Sequence, residues 1–155
     1  MIKGLQQQHR VVRVVTKFLL PPILLFAFYV QFHGDFGPGG GFQAGVIFAA
    51  AFILHGLIFG EAQTRLILSP YRLRLIMSLG LLLYAGVGLS SLFLGGEYLN
   101  YSVLASDSVT GQHWGILLVE LGVGMTVSAV MISLFYCFSS KRNTNNETIH
   151  SEQVK

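Results

Sequence analysis

The chain has 155 residues, 52% of them hydrophobic and 11% charged, with a mean hydropathy of +0.60. A soluble domain carries about 25% charged residues and, at this size, leaves much of its surface in water, so the composition excludes a soluble fold. The formal charge is +3, and the single cysteine, Cys137, excludes an intramolecular disulfide and any multi-cysteine metal site.

The expected class is an all-α integral membrane protein with four transmembrane helices. A bilayer core of about 30 Å takes ~20 helical residues, and backbone without water partners must satisfy itself as helix. The first apolar stretch runs from Val11 to Phe32, interrupted by Arg13, Lys17 and the pair Pro21-Pro22. Its basic start resembles the n-region of a signal peptide, but no small-x-small cleavage site follows, only Tyr29, Gln31, Phe32 and His33. It reads as a retained helix whose Arg13 and Lys17 snorkel to the headgroups. The proline pair should kink it or mark where the regular span begins.

Next comes GDFGPGGGFQAG, residues 34–45. A phosphate-binding Walker loop needs Lys-Ser or Lys-Thr after its last glycine, and here Phe42-Gln43 follow. Gly39-x-Gly41-x-x-Ala44 satisfies the relaxed dinucleotide pattern, but that pattern has meaning only after a strand, and this chain offers none. What fits is a turn and helix start. Pro38 suits the first turn, and Gly39, Gly40 and Gly41 leave bare backbone before Phe42. Gly41, Gly45 and Ala49 continue as a small-xxx-small ridge on one face. Two uses stay open: plain helix packing, or ion handling through uncapped N–H groups or a flexible break.

The second span, Phe42 to Gly60, contains His55, read as a helix-to-helix hydrogen-bond donor rather than a metal ligand. Glu61 and Arg65, spaced i, i+4, should pair at its end, a contact worth a few tenths of a kcal/mol. The third span, Leu75 to Leu94, has no charge. The connection after it is the longest, and its tyrosines and Trp114 suit an interfacial belt. His33, Asp35, Glu97, Asp107 and His113 fall on this outer side, either as a shallow cation-attracting rim or as ordinary solvated loop residues.

The fourth span, Gly115 to Phe138, holds Glu120, the one acidic residue placed clearly inside a span. A charge there is costly unless paired or hydrated. Glu120, Gly124 and Ser128 share a helix face, so the carboxylate should point at protein. It could relay protons, bind a cation or pair with a partner's basic group, or serve as a structural polar contact near the outer interface. Cys137, in the same apolar run, reads as a small buried side chain. No Ser/His/Asp arrangement or metal-ligand spacing points to an enzyme, a metal or a cofactor. Residues 141–155 are polar and without apolar period, so a membrane domain over 1–140 and a disordered tail are expected.

Orientation follows from charge. With four spans, all ten Lys and Arg residues fall on one side: Lys3, Arg10, Arg13, Lys17, Arg65, Arg72, Arg74, Lys141, Arg142 and Lys155. The other two loops hold none, which predicts both termini in the cytoplasm. Since placement already explains the basic residues, nucleic acid is not an expected partner.

Taken together, HGDFGPGGGFQAGVIFAAAFIL from His33 to Leu54, the basic loop containing Arg-Leu-Ile, the glycine-containing third span and Glu120-Leu121-Gly122 resemble the MnhB family. Members of that family are small membrane subunits of Mrp-type multisubunit Na⁺/H⁺ antiporters, and modules of related membrane-bound hydrogenases. The likeness covers about residues 18–138. One departure is Ala44, where a second glycine is common; the acidic position of the fourth span, here Glu120, is often aspartate in relatives. The resemblance implies an accessory component of a bacterial inner-membrane complex that exchanges Na⁺ for H⁺. Its partners would be the other antiporter subunits and membrane lipid. Pro38, Gly39, Gly40, Gly41, Phe42 and Glu120 are the candidates for the ion path, and Gly45, Ala49, Gly124 and Ser128, by their i, i+4 spacing, for helix packing. The alternatives are the equivalent hydrogenase module or a purely structural scaffold. One intramembrane acid is too few for a complete antiporter.

Overall fold

The computed structural model describes the backbone of residues 2–34, 39–103 and 107–153, and the side chains of 10–34, 39–102 and 107–140. The described residues form five α-helices and no strand: α1 (Ile2–Phe32), α2 (Gly41–Phe59), α3 (Glu61–Ile67), α4 (Pro70–Phe93) and α5 (Ser108–Gln153). A 3₁₀ turn, Tyr101–Val103, lies between α4 and α5. Four segments are long and apolar enough to cross a bilayer: Arg10–Phe32, Gly41–Phe59, Pro70–Phe93 and Ser108–Ser140. The chain is a multi-pass membrane protein.

The helix starts differ from the apolar runs for local reasons. α4 begins at Pro70, ahead of Leu75, because Ser69 caps it: its Oγ accepts from the Arg72 N–H at 3.3 Å, and Pro70 fills the first turn. Arg72 and Arg74 interrupt the hydropathy there. α5 likewise begins at Ser108, where Asp107 Oδ2 accepts from the Thr110 N–H at 3.2 Å and its hydroxyl at 2.9 Å. The Thr110 hydroxyl, then its backbone N–H, holds the Asp107 carboxyl below its ordinary range. Asp107 is therefore a helix cap.

The short α3 inside the basic loop has no apolar signature. Gly60 creates it by breaking the chain after α2: its φ of 98° is left-handed, where a β-carbon is strained. Inside α3 the spaced pair forms as expected, Arg65 Nε donating to Glu61 Oε1 at 2.6 Å. The Arg65 guanidinium also lies 5.0 Å from the Tyr136 ring centroid. α1 continues across Pro21 and Pro22. Neither proline supplies an N–H, so the carbonyls four residues earlier lose their helical donors.

α5 is the central helix. It packs along α4 on one side and α2 on another, while α1 packs mainly on α2. A third of its most apolar window is buried (33%), against 11% for α1. The core joins Ala49 of α2, Leu73 of α4, and Ala129, Ile132 and Tyr136 of α5. Small residues recur in this core because lipid supplies no hydrophobic drive between helices, so close packing must hold them. Tyr136 donates its hydroxyl to the Leu68 carbonyl at 3.0 Å, tying α5 to the α3–α4 connection.

One expectation changes here. Cys137 is exposed, not buried: an apolar run in a membrane helix is compatible with a lipid-facing side chain as well as with a core. The backbone of α5 is helical as far as Gln153. Residues 141–153 contain no Gly or Pro to end a helix.

Candidate functional site

The segment Gly39–Gly41 brings α2 into contact with Glu120 of α5. Asp35, Phe36, Gly37 and Pro38 lie outside the described residues, so the expectations for Asp35, Gly37 and Pro38 stop there. Gly39 packs on the end of α1, where an added β-carbon would stand 3.1 Å from the Val30 carbonyl oxygen. Gly40 is the N-cap of α2, with φ 136° and no side-chain cap. Its carbonyl accepts from the Ala44 N–H at 3.0 Å.

The Glu120 carboxylate is lodged among these glycines. A β-carbon on Gly34 would come within 2.7 Å of Glu120 Oε1, and one on Gly40 within 3.0 Å of the same oxygen. One on Gly41 would strike the Glu120 backbone, reaching 2.7 Å from its carbonyl carbon. The site therefore needs glycine for space, and at Gly40 for conformation as well. The first N–H groups of a helix have no internal partners, and its N-terminus carries partial positive charge. Here that end lies beside the one acidic side chain in the four spans among the described residues. A half-buried carboxylate so placed can hold charge, accept a proton or approach a monovalent cation.

Below this level the two helices mesh through small residues. A β-carbon on Gly45 would stand 2.7 Å from the Gly124 carbonyl oxygen and 3.0 Å from Val127 Cβ. Ala49 is fully buried, Ser128 is buried, and Ser128 donates its hydroxyl to the Met125 carbonyl at 3.0 Å. On α5's other side, Gly122 meets Gly80 of α4, a β-carbon on Gly80 falling 2.6 Å from the Gly122 carbonyl oxygen. Nothing in the sequence pairs these two; their contact depends on α4 and α5 packing side by side. Phe42 points away from the site and is 63% exposed.

Gln31 is the residue that sequence reasoning passes over. It is 8% exposed, and its Oε1 lies 2.5 Å from where a β-carbon on Gly124 would be. Its Nε2 is buried with no hydrogen-bond partner among the described residues. Gln31 borders a cavity of about 280 Å³ that also touches Phe48, Gly124, Ser128 and Ile132. The signal is available, a lone amide in the last turn of an apolar span, but its burial depends on α5. An orphaned buried donor costs roughly 1–3 kcal/mol. Gln31→Met, which keeps the volume and removes the donor, is therefore expected to raise the thermal stability of the purified chain. A loss of stability would show that the amide finds a partner in the folded protein.

The other polar candidates are dispersed. His55 lies one turn before the end of α2, its Nδ1 2.8 Å from Thr64 Oγ1, while the Thr64 hydroxyl donates to the Gly60 carbonyl at 3.2 Å. The His55–Thr64 contact locks α3 to α2. His33 stacks on Tyr29 at 4.6 Å between ring centroids. Among the described residues no three His, Cys, Asp or Glu side chains come together to hold a metal ion.

Residues 11–133 match the family model described as a domain related to the MnhB subunit of Na⁺/H⁺ antiporter. Proteins carrying the antiporter-subunit name mnhB2 from Staphylococcus aureus strains Newman, JH1 and USA300 are each 35% identical over 136 residues. The alignment covers 86% of this chain and 96% of each of those proteins.

Proposed function

The chain belongs to the family of MnhB subunits of Na⁺/H⁺ antiporters, and on that premise we propose that it joins the other subunits of such a complex and contributes to its cation path. It is a transporter component, not an enzyme. The observation that carries the ion-path reading is the Glu120 carboxylate set against Gly34, Gly40 and the N-terminus of α2. Glycine lining leaves backbone dipoles close to the carboxylate, and a proton or a sodium ion can exchange on such a group without a large side-chain movement. The packing ridge of Gly41, Gly45 and Ala49 against Glu120, Gly124 and Ser128 fixes the height of α2 on α5 and so positions the carboxylate.

In this reading the protein sits in the bacterial inner membrane with both termini in the cytoplasm, supported by the ten-to-none split of Lys and Arg between the two sides. Glu120 and the glycine turn then face the outer half of the bilayer. That Glu120 is the one acid within the four spans among the described residues supports reading this chain as an accessory of a larger machine, with the principal proton-moving groups on its partners.

The test is purification in mild detergent from cells carrying a tagged copy. The expected result is co-purification of further antiporter subunits, and loss of Na⁺-dependent ΔpH in vesicles when the chain is deleted. Recovery with hydrogenase subunits in their place, or normal Na⁺-dependent ΔpH after deletion, would overturn the proposal.

A further inference from the structure

At the opposite end of the bundle from Glu120, a cleft of about 540 Å³ opens between the start of α4 and the last membrane turns of α5. Arg65, Pro70, Arg74, Ser133, Tyr136 and Cys137 border it. The arginines at this end are differently engaged. Arg65 is paired with Glu61 and lies over the Tyr136 ring. Arg72 donates from Nη1 to the Ile67 carbonyl at 2.8 Å. Arg74 has no ion pair or hydrogen bond among the described residues. Glu61, the one described acid at this end, is already paired with Arg65, so among the described side chains the charge of Arg74 is uncompensated.

Leu66, Tyr71 and Phe138, each next in sequence to a residue that borders the cleft, are apolar and 75%, 63% and 74% exposed. The cleft lies where the apolar span of α4 begins, at Pro70, beside Arg65 and Arg74, a position that suits headgroup depth in a bilayer. We propose that it binds the phosphate of an anionic phospholipid, with Arg74 as the principal contact and acyl chains lying along the exposed apolar flanks. The guanidinium fork matches phosphate oxygens, and basic pockets between membrane helices suit such headgroups. A free anion would use the charge but leave the flanks uncovered. The Tyr136 hydroxyl is already committed to Leu68, so the ring's part is to hold Arg65 beside the site.

The experiment uses the intact complex, extracted with the wild-type, Arg74→Gln or Arg74→Lys chain and incubated with phosphatidylglycerol. Bound lipid is counted by native mass spectrometry, with phosphatidylcholine and inorganic phosphate as separate arms. The expected result is phosphatidylglycerol retention that falls about five-fold in Arg74→Gln, the equivalent of ~1 kcal/mol for one basic side chain near an anionic surface. Arg74→Lys should keep most of it, and neither phosphatidylcholine nor inorganic phosphate should displace the lipid. Equal retention in Arg74→Gln would overturn the site. Displacement by inorganic phosphate would make it a free-anion site, and displacement by phosphatidylcholine merely an apolar one; either outcome overturns the lipid assignment.

Discussion

Glu120→Gln is expected to lower Na⁺-driven proton movement in vesicles by about ten-fold, a barrier change of roughly 1.4 kcal/mol, while the complex still assembles. Glutamine has nearly the same shape, so it keeps the packing against Gly34 and Gly40. What it loses is the charge and the site that takes up a proton. A structural contact would tolerate this change, because the amide still offers an oxygen to the start of α2. An ion-path carboxylate would not. Glu120→Asp separates charge from reach: it retains the carboxylate but draws it back from the glycine turn, so intermediate flux is expected. Full Na⁺-dependent ΔpH in Glu120→Gln would remove this residue from the mechanism.

Gly41→Ala should fail at an earlier stage, in folding and assembly. The new methyl group would collide with the backbone of Glu120, its carbonyl carbon at 2.7 Å and Cα at 2.9 Å. Backbone atoms of a packed helix cannot swing aside as a flexible side chain can, so α2 must move off α5. Overpacking of this kind costs about 1–3 kcal/mol, and a clash against backbone belongs at the upper end. The variant chain should therefore be depleted from membranes and from the purified complex, with flux falling in proportion. Gly86→Ala is the matched control: Gly86 lies within α4 and has nothing within 4 Å of a built β-carbon. There alanine should be neutral or better, since glycine inside a helix costs about 1 kcal/mol relative to it. Wild-type levels of Gly41→Ala in the assembled complex would sink the packing account. The two substitutions thus separate a residue that acts after assembly from one that permits it.

Much of this architecture was legible in the sequence. Four long apolar stretches, with hardly a charge among them, leave the backbone no alternative to helix in lipid. The i, i+4 pair Glu61 and Arg65 followed from helical spacing, because both partners lie within one local turn. Helix ends were harder. Ser69-Pro70 and Asp107 set the starts of α4 and α5, yet polar caps and arginines look like loop to a hydropathy measure. α3 was hidden for the same reason: seven residues, EAQTRLI, are too few for a periodic signal, and the break at Gly60 is a matter of one dihedral angle.

The sequence alone determined that this chain spans a membrane as helices, that its glycines cluster before α2, and that one acid lies within a span. Composition and periodicity suffice for those statements because each depends on the solvent or on neighbours a turn away. Only the tertiary structure decided that the Glu120 carboxylate meets Gly34 and Gly40, that Gly80 meets Gly122, that Gln31 is buried with its Nε2 unpartnered among the described residues, and that Cys137 is exposed. Each of these depends on which face of one helix meets which face of another. In an apolar span every face is hydrophobic, so the chain carries no amphipathic stripe to announce the choice. Steric fit between small residues makes it instead, and that fit exists only once the helices are side by side.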